Sequence, residues 1–311
     1  MSKIVMHKSK PKILVILGPT ASGKTSLAVK LASKLNGEII SADSRQVYRG
    51  MNVGTGKDLK EYIIKGKKIA HHLIDVVNPN EEFNLATYQK LVNQAILEIL
   101  SRGHLPIIVG GTGLYLQAIV DGYKLSERKP DLKRRDELEA MTVSELYNLL
   151  EKNKPDFADK LNNSDKNNPR RLIRYLEIME LGEIEEAPKK VVPYDFLILG
   201  LRQDDDEMRV RIVKRIKDRL DYEDMIGEVE RLIDAGLSLV RLNSFGLEYR
   251  FISWYLQDKM DYNEMIEKLG IASYRFAKRQ KTWFKRWEKQ GRIINWVSDL
   301  KEAQKIIKNW L

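Results

Sequence analysis

Gly18 to Thr25 reads Gly-Pro-Thr-Ala-Ser-Gly-Lys-Thr and fits the pattern G-x-x-x-x-G-K-[ST]. Each residue type has a use in holding phosphate. Gly18 and Gly23 let the backbone turn its N–H groups inward, Lys24 adds a point charge, and Thr25 offers a hydroxyl to a Mg²⁺. The intervening Pro19, Thr20, Ala21 and Ser22 complete the cradle. The chemistry is capture of a di- or triphosphate. A second polar run is Asp43-Ser44-Arg45-Gln46-Val47-Tyr48, and a third is Gly110-Gly111-Thr112-Gly113. A phosphate-loop kinase usually wants a carboxylate near the third position to place Mg²⁺. Glycines and a threonine stand there instead and leave backbone room for something bulky.

These groups need elements to position them. Ile13–Leu17 is a buried-type apolar run, and Leu27, Ala28, Leu31 and Leu35 recur at helical spacing over 26–35. Strand, glycine loop and helix are thus in the order a phosphate loop requires. The helix start adds free N–H groups and partial positive charge. Further strands are expected over 37–41, 71–77, 106–109 and 196–201, giving five parallel strands. A helix is expected over 83–100. Asp43 follows the end of the second strand, where side chains of a parallel sheet face the ligand crevice. Aspartate is also a favoured helix cap, but the dense polar run after it favours a site.

The loop Gly50–Lys57 reads as flexible, with a weak phosphate signal. His71, His72 and Asp75 invite a metal, yet adjacent strand residues point to opposite faces, so the two histidines cannot share an ion.

The chain has 311 residues, a net charge of +10 and no cysteine, with 43% hydrophobic and 32% charged residues. That composition belongs to globular proteins and excludes disulfides and cysteine-ligated zinc. No signal peptide or membrane span is evident, so a cytoplasmic protein without a membrane partner is expected. The positive balance suggests a polyanion, and its location sharpens the suggestion. Arg170, Arg171 and Arg174 sit at the start of a helix opened by Asn168 and Pro169, where the dipole disfavours cations. Arg211, Arg215 and Arg219 repeat every fourth residue on a helix over 207–220. Like charges at that spacing repel, which favours a ligand role. From Arg275 to Arg292 there are eight basic residues and one acid. Arg275, Lys278 and Arg279 open this phosphate-backbone footprint, while Phe276, Trp283 and Trp287 read as core anchors on the same helix. Composition divides the chain into 1–124 (phosphate-loop core), 125–190 (helical insertion) and 191–311 (the rest of the core with basic helices).

Taken together, these stretches resemble the tRNA dimethylallyltransferases of bacterial type. The resemblance lies in Gly18–Thr25, Ser41–Tyr48 with Gly50–Lys57, His71–Asp75, Gly110–Tyr115, Asn168–Glu177 and Ala277–Phe284, in family order along nearly the whole chain. It implies an α/β phosphate-loop core with a parallel sheet flanked by helices, and a helical insertion that grips the anticodon stem-loop. The donor implied is dimethylallyl diphosphate, with Mg²⁺ as cofactor. The acceptor implied is N6 of the adenosine 3′ to the anticodon; independently of the resemblance, a monomer is expected.

By this resemblance Asp43 takes the N6 proton, Thr112 lines the channel, and Lys24 with the loop holds the diphosphate beside Arg211 or Arg215. Asp43, Ser44, Arg45, Gln46 and Thr112 read the flipped base and its neighbours. Arg170, Arg171 and Arg174 hold the RNA backbone. Two departures stand out. Gly56 replaces the family's common alanine, which is expected to loosen its loop. Phe245–Arg250 differs from a shorter Gly-Tyr-Arg run that contacts tRNA. An ATP-dependent small-molecule kinase and a non-catalytic RNA-binding module are the competing readings.

Overall fold

A continuous apolar run is stable only when both faces are covered, and Ile13–Leu17 has no exposed surface. The structure is a computed structural model that describes residues 9–125, 131–181 and 191–311. In chain order its strands are β1 (Lys12–Leu17), β2 (Gly37–Ser41), β3 (Ile63–Ile64), β4 (Lys67–Lys68), β5 (His71–His72), β6 (Leu105–Gly110), β7 (Asp195–Leu201) and β8 (Asn295–Val297). Six form one parallel sheet in the order β5-β2-β6-β1-β7-β8, and β3 pairs antiparallel with β4.

The five expected strands are present, with two corrections. The strand over 71–77 stops after His72, because Leu73 and Asp75 adopt φ of 62° and 57°, outside extended geometry. Strand β8 has no counterpart among the expected elements, since the C-terminal third reads as helical. It pairs Gly200 with Trp296.

Alternation along β1 divides the core. Ile13, Val15 and Leu17 point to one face and Leu14 and Ile16 to the other. Helix α1 (Lys24–Leu35) covers the second face with Leu27, Ala28 and Leu31. Helices α2 (Leu85–Ser101) and α3 (Gly113–Val120) cover the first. This is the doubly covered parallel sheet the sequence implied.

Residues Gly122–Val191 form a second compact unit. The ends of the expected helical segment, 126–130 and 182–190, lie outside the described residues. Helices α4 (Leu132–Glu139), α5 (Val143–Asn153), α6 (Pro155–Asp159), α7 (Asn163–Lys166) and α8 (Pro169–Glu180) enclose Leu138, Leu146, Leu150, Leu172 and Leu176. Asn168 caps α8 by accepting from the Arg171 amide, as its position before Pro169 implied.

The first unit resumes after β7 with α9 (Asp205–Tyr222), α10 (Met225–Asp234), α11 (Leu239–Phe245), α12 (Leu247–Tyr255), α13 (Tyr262–Lys289) and α14 (Leu300–Trp310). Met208, Ile212 and Ile216, one turn apart on α9, are buried. Helix α13 joins two cores. Met265, Leu269 and Ala277 enter the helical cluster, and Phe284 and Trp287 enter the sheet core. Phe276 is not an anchor. It is 41% exposed, because the buried stripe runs through Ser273, Ala277, Gln280, Phe284 and Trp287. Among the described residues no helix is long and apolar enough to cross a membrane.

Candidate active site

Strands β2, β6 and β1 are adjacent and parallel, so their C-terminal ends lie side by side. The three polar runs leave from those ends. A cavity of about 240 Å³ opens there, lined by Thr20, Ala21, Gly23, Lys24, Thr25, Ser41, Asp43, Gln46, Thr55, Gly56, Asp58, Glu61, Tyr62, Val109, Gly110, Arg211 and Arg215. Topology places the site, as expected at the crevice of an open α/β sheet.

The phosphate loop is built by unusual backbone angles. Gly23 caps α1 at φ 83° with no side-chain hydrogen bond, so the first helical N–H groups stay free for an anion. Ala21 also holds a positive φ, 60°, a conformation that stores strain at a ligand clamp. Gly18 and Pro19 are buried behind the loop, and Ser22 is 5% exposed with an unpaired hydroxyl. Lys24 Nζ donates to the Pro19 carbonyl at 3.3 Å. Burial lowers its pKa to about 8 against the pull of Asp43. Arg215 donates to Thr20 Oγ1 at 2.7 Å. Burial and Arg219 lower its guanidinium to about 10. Two cations held where charge is disfavoured make a pocket that an anion would relieve.

The arginine stripe separates on inspection. Arg211 is half exposed and pairs with Glu207 at 3.1 Å. Arg219 is buried and faces Asp58 at 3.4 Å. Repulsion in the stripe is therefore answered partly by protein carboxylates, and no ligand is needed at Arg219. Arg215 is the member best placed in the pocket.

Asp43 Oδ1 accepts from the Arg45 amide at 2.9 Å, leaving its carboxylate on the pocket wall. Ser41 Oγ donates to Gln46, whose amide donates to the Gly56 carbonyl at 3.0 Å. Thr112 does not line the cavity. Its Oγ1 accepts from the Ser44 amide at 3.3 Å, beside Asp43. Arg45 is half-buried with no carboxylate partner among the described residues, and burial pushes its pKa down.

The loop 50–57 is pinned rather than flexible. The buried carboxylate of Glu228 accepts from the amides of Asn52, Val53 and Gly54 at 2.7, 2.8 and 3.0 Å, and from Tyr249 Oη at 2.7 Å. Lys57 is 1% exposed and donates inward to Tyr48, Asn52 and Asp75, so it cannot serve phosphate. Gly56 does not loosen the loop either. Its φ is 64°, and an added Cβ would lie 2.2 Å from the Arg219 guanidinium. Tyr249 is buried and donates to Glu228 at 2.7 Å.

His72 Nε2 and His104 Nδ1 both meet Glu38, at 2.7 and 2.6 Å, with Arg102 bidentate on the same carboxylate. Burial raises the Glu38 pKa, but these bonds outweigh it and hold the group down at about 2. Among the described residues no group of three or more His, Asp or Glu could hold a metal.

The basic residues Arg275, Lys278 and Arg279 are exposed on α13. In the second unit Arg171 pairs with Asp165, and Arg174 pairs with Glu177 at 3.1 Å. Arg170 alone of the three has no partner among the described residues. The protein thus supplies two of the anions that the helix start was expected to require from outside.

Sequence reasoning missed Asp58, Glu61, Glu228 and Gln280. Asp58 and Glu61 directly follow the glycine loop, which was a usable signal. Glu228 lies far along the chain and carries no motif of its own; Gln280 lies within the Ala277–Phe284 stretch already singled out, but no role was read for it there.

Fold and pocket together define an α/β protein whose glycine-rich loop after β1 borders a cavity lined by Lys24, Arg211 and Arg215 and by Asp43, Asp58 and Glu61. The chain matches the family model for IPP transferase over residues 46–287. It is 47% identical over 291 residues to tRNA dimethylallyltransferase 1 of Syntrophus aciditrophicus, covering 92% of this chain and 93% of that one. The second such enzyme of Pelobacter propionicus is 45% identical, covering 97% and 96%. Among solved structures, the tRNA isopentenylpyrophosphate transferase of Bacillus halodurans superposes with a TM-score of 0.67 at 36% identity, covering 97% of this chain and 95% of that one. A eukaryotic dimethylallyltransferase acting on tRNA gives a TM-score of 0.75 at 28% identity, covering 96% and 78%. The chain belongs to the IPP transferase family.

Proposed function

We propose that the protein transfers a dimethylallyl group from dimethylallyl diphosphate to N6 of the adenosine 3′ to the anticodon of tRNA. The observation that carries this reading is that Asp43, Lys24 and Arg215 line the same cavity beside the phosphate loop. The cations hold the diphosphate. As the bond from the prenyl C1 to oxygen breaks, negative charge grows on the departing pyrophosphate, and the loop amides, Lys24 and Arg215 stabilise it. A bond forms from N6 to C1, and Asp43 accepts the N6 proton. An exocyclic amine is a weak nucleophile, so a positioned base is needed. The adenine leaves its stack to enter the site, with Arg45 and Gln46 beside it. Arg170 and the exposed Arg275, Lys278 and Arg279 hold the anticodon stem-loop backbone. The protein works as a cytoplasmic monomer.

Mg²⁺ would be held here by Thr25 and the diphosphate oxygens rather than by a carboxylate cluster: Thr25 lines the pocket with no side-chain hydrogen bond among the described residues. Bound there with Thr25 and the diphosphate oxygens, the ion would supply charge neutralisation to the leaving group. A kinase-type carboxylate at the end of β6 is excluded sterically, because a Cβ on Gly110 would lie 2.1 Å from the Ala42 carbonyl oxygen.

Replacing Asp43 by alanine tests the reading. Transfer to tRNA is expected to fall by about 10²–10⁴-fold with tRNA affinity retained. Equal loss of tRNA binding would make Asp43 a binding residue and remove its role as base.

A further inference from the structure

We infer that Gln280 is a positioning residue for the transfer, clamping the phosphate loop to the Gly110–Thr112 turn so that diphosphate and base are held at one separation. The inference rests on the reading above. Gln280 stands on α13 and is 9% exposed. Its Oε1 accepts from the Thr20 amide at 2.8 Å, and its Nε2 donates to the Gly111 carbonyl at 2.9 Å. One side-chain amide thus joins the loop after β1 to the turn after β6, using its acceptor on one and its donor on the other. The two partners fix which end is which, since an N–H needs an acceptor and a carbonyl needs a donor.

The contact is tight enough to constrain sequence at Gly111. A Cβ there would lie 2.4 Å from Gln280 Nε2 and 3.1 Å from the Gly18 carbonyl oxygen. Gln280 also has functional groups on either side. Thr20 accepts from Arg215 at 2.7 Å on the diphosphate side. Next to Gly111, Thr112 accepts from Ser44 at 3.3 Å, and Asp43 accepts from Arg45 at 2.9 Å. A continuous run of short contacts therefore passes from the diphosphate arginine through Gln280 to the base. The Thr20 amide is taken up by Gln280 and the Ser22 amide by the Pro19 carbonyl at 3.3 Å, so neither is left to hold phosphate. Errors of about 1 Å between reacting groups cost about 10²-fold in rate, which is the slack such a clamp removes. Gln280 faces inward while its neighbours Lys278 and Arg279 are exposed. It is therefore no RNA contact, although it lies within the basic stretch.

The test compares wild type with Gln280→Met, Gln280→Glu and Gly111→Ala. Met keeps the volume and loses both bonds. Glu keeps the acceptor for Thr20 and sets an oxygen against the Gly111 carbonyl. The Gly111 variant pushes the amide out without touching residue 280. Each is assayed for donor kcat and KM, for pyrophosphate binding with Mg²⁺, for tRNA affinity and for melting temperature.

The expected result is a drop of about 10²-fold in kcat/KM for the donor, weaker pyrophosphate binding, and tRNA affinity within about twofold of wild type. The Gly111→Ala, Gln280→Met double variant should be no worse than Gly111→Ala alone, because both disable one clamp. Unchanged donor KM and pyrophosphate binding, with kcat falling only with the folded fraction, would overturn the inference. So would a parallel loss of tRNA affinity, which would make Gln280 an RNA contact. If wild type itself bound no pyrophosphate, the proposed function would fail first, and the variants would be irrelevant to that failure.

Discussion

Burial sets the protonation of Lys24. Its pKa is lowered from 10.5 to about 8, chiefly by burial. The folded state therefore binds fewer protons than the unfolded state between these values, and this group adds stability as pH rises from about 8 to about 10.5. Below about 8 the buried charge is a cost. Lys24→Met is thus expected to raise the melting temperature of the ligand-free protein by a few degrees while abolishing pyrophosphate binding. A lower melting temperature would show that Lys24 is already compensated. Donor kcat/KM should decline above about pH 8 as the free lysine deprotonates. At Gly56 the effect is conformational. Its φ of 64° and the Arg219 guanidinium 2.2 Å from an added Cβ predict that Gly56→Ala destabilises by about 1–3 kcal/mol. A loosening glycine would give the opposite sign in a thermal melt. The sequence made the phosphate loop legible because eight contiguous residues carry it. It showed Arg219 only as part of a basic stripe, and hid its contacts with Asp58 and Gly56, because those are set by tertiary packing.

Elements are positioned here by single buried carboxylates. Glu228 of α10 receives three loop amides and a tyrosine hydroxyl. Glu228→Ala should release 50–57, and with it the Gly56 carbonyl that holds Gln46. Losing a buried acceptor with several donors costs about 3–5 kcal/mol, readable by denaturant melts, with faster amide exchange at 52–54. Unchanged exchange would remove the pinning role. Glu38, at the start of β2, is the second pin. Its pKa falls from 4.5 unfolded to about 2 folded. Its contribution is present in full above about 4.5 and is lost as pH falls toward about 2. Glu38→Gln should therefore be less stable than wild type at pH 7, and the gap should close on acidification through that window. A constant gap would contradict the assignment. Strands and helices with long periodic patterns were readable from the chain. The pins were not, because a lone glutamate on a helix or strand looks like any solvated charge until its donors are known. The short β5 and β8 were misread for a related reason. Both are fixed by pairing with a neighbour more than by local pattern.

At the scale of the molecule, the charge of +10 is not spread evenly in its effect. Arg171 and Arg174 spend part of theirs on Asp165 and Glu177, whereas Arg170, Arg275 and Arg279 have no carboxylate partner among the described residues. Substituting Arg170 or Arg279 by alanine should weaken tRNA binding and lower the slope of log affinity against log salt by about 0.7–0.9 per lost phosphate contact. Arg171→Ala should change the slope less, because its charge is already answered. Equal slopes for all three would refute that ranking. Composition indicated a polyanion, but only ion pairing separates cations free to bind one from cations that hold the fold. The central claim is that a phosphate loop resembling an ATP site serves a prenyl leaving group. It is tested most directly by incubating the protein with labelled dimethylallyl diphosphate, Mg²⁺ and either unmodified tRNA or AMP, with ATP turnover followed in parallel. The account predicts label in tRNA, none in AMP, and no ATP turnover; ATP turnover without transfer to tRNA would contradict it.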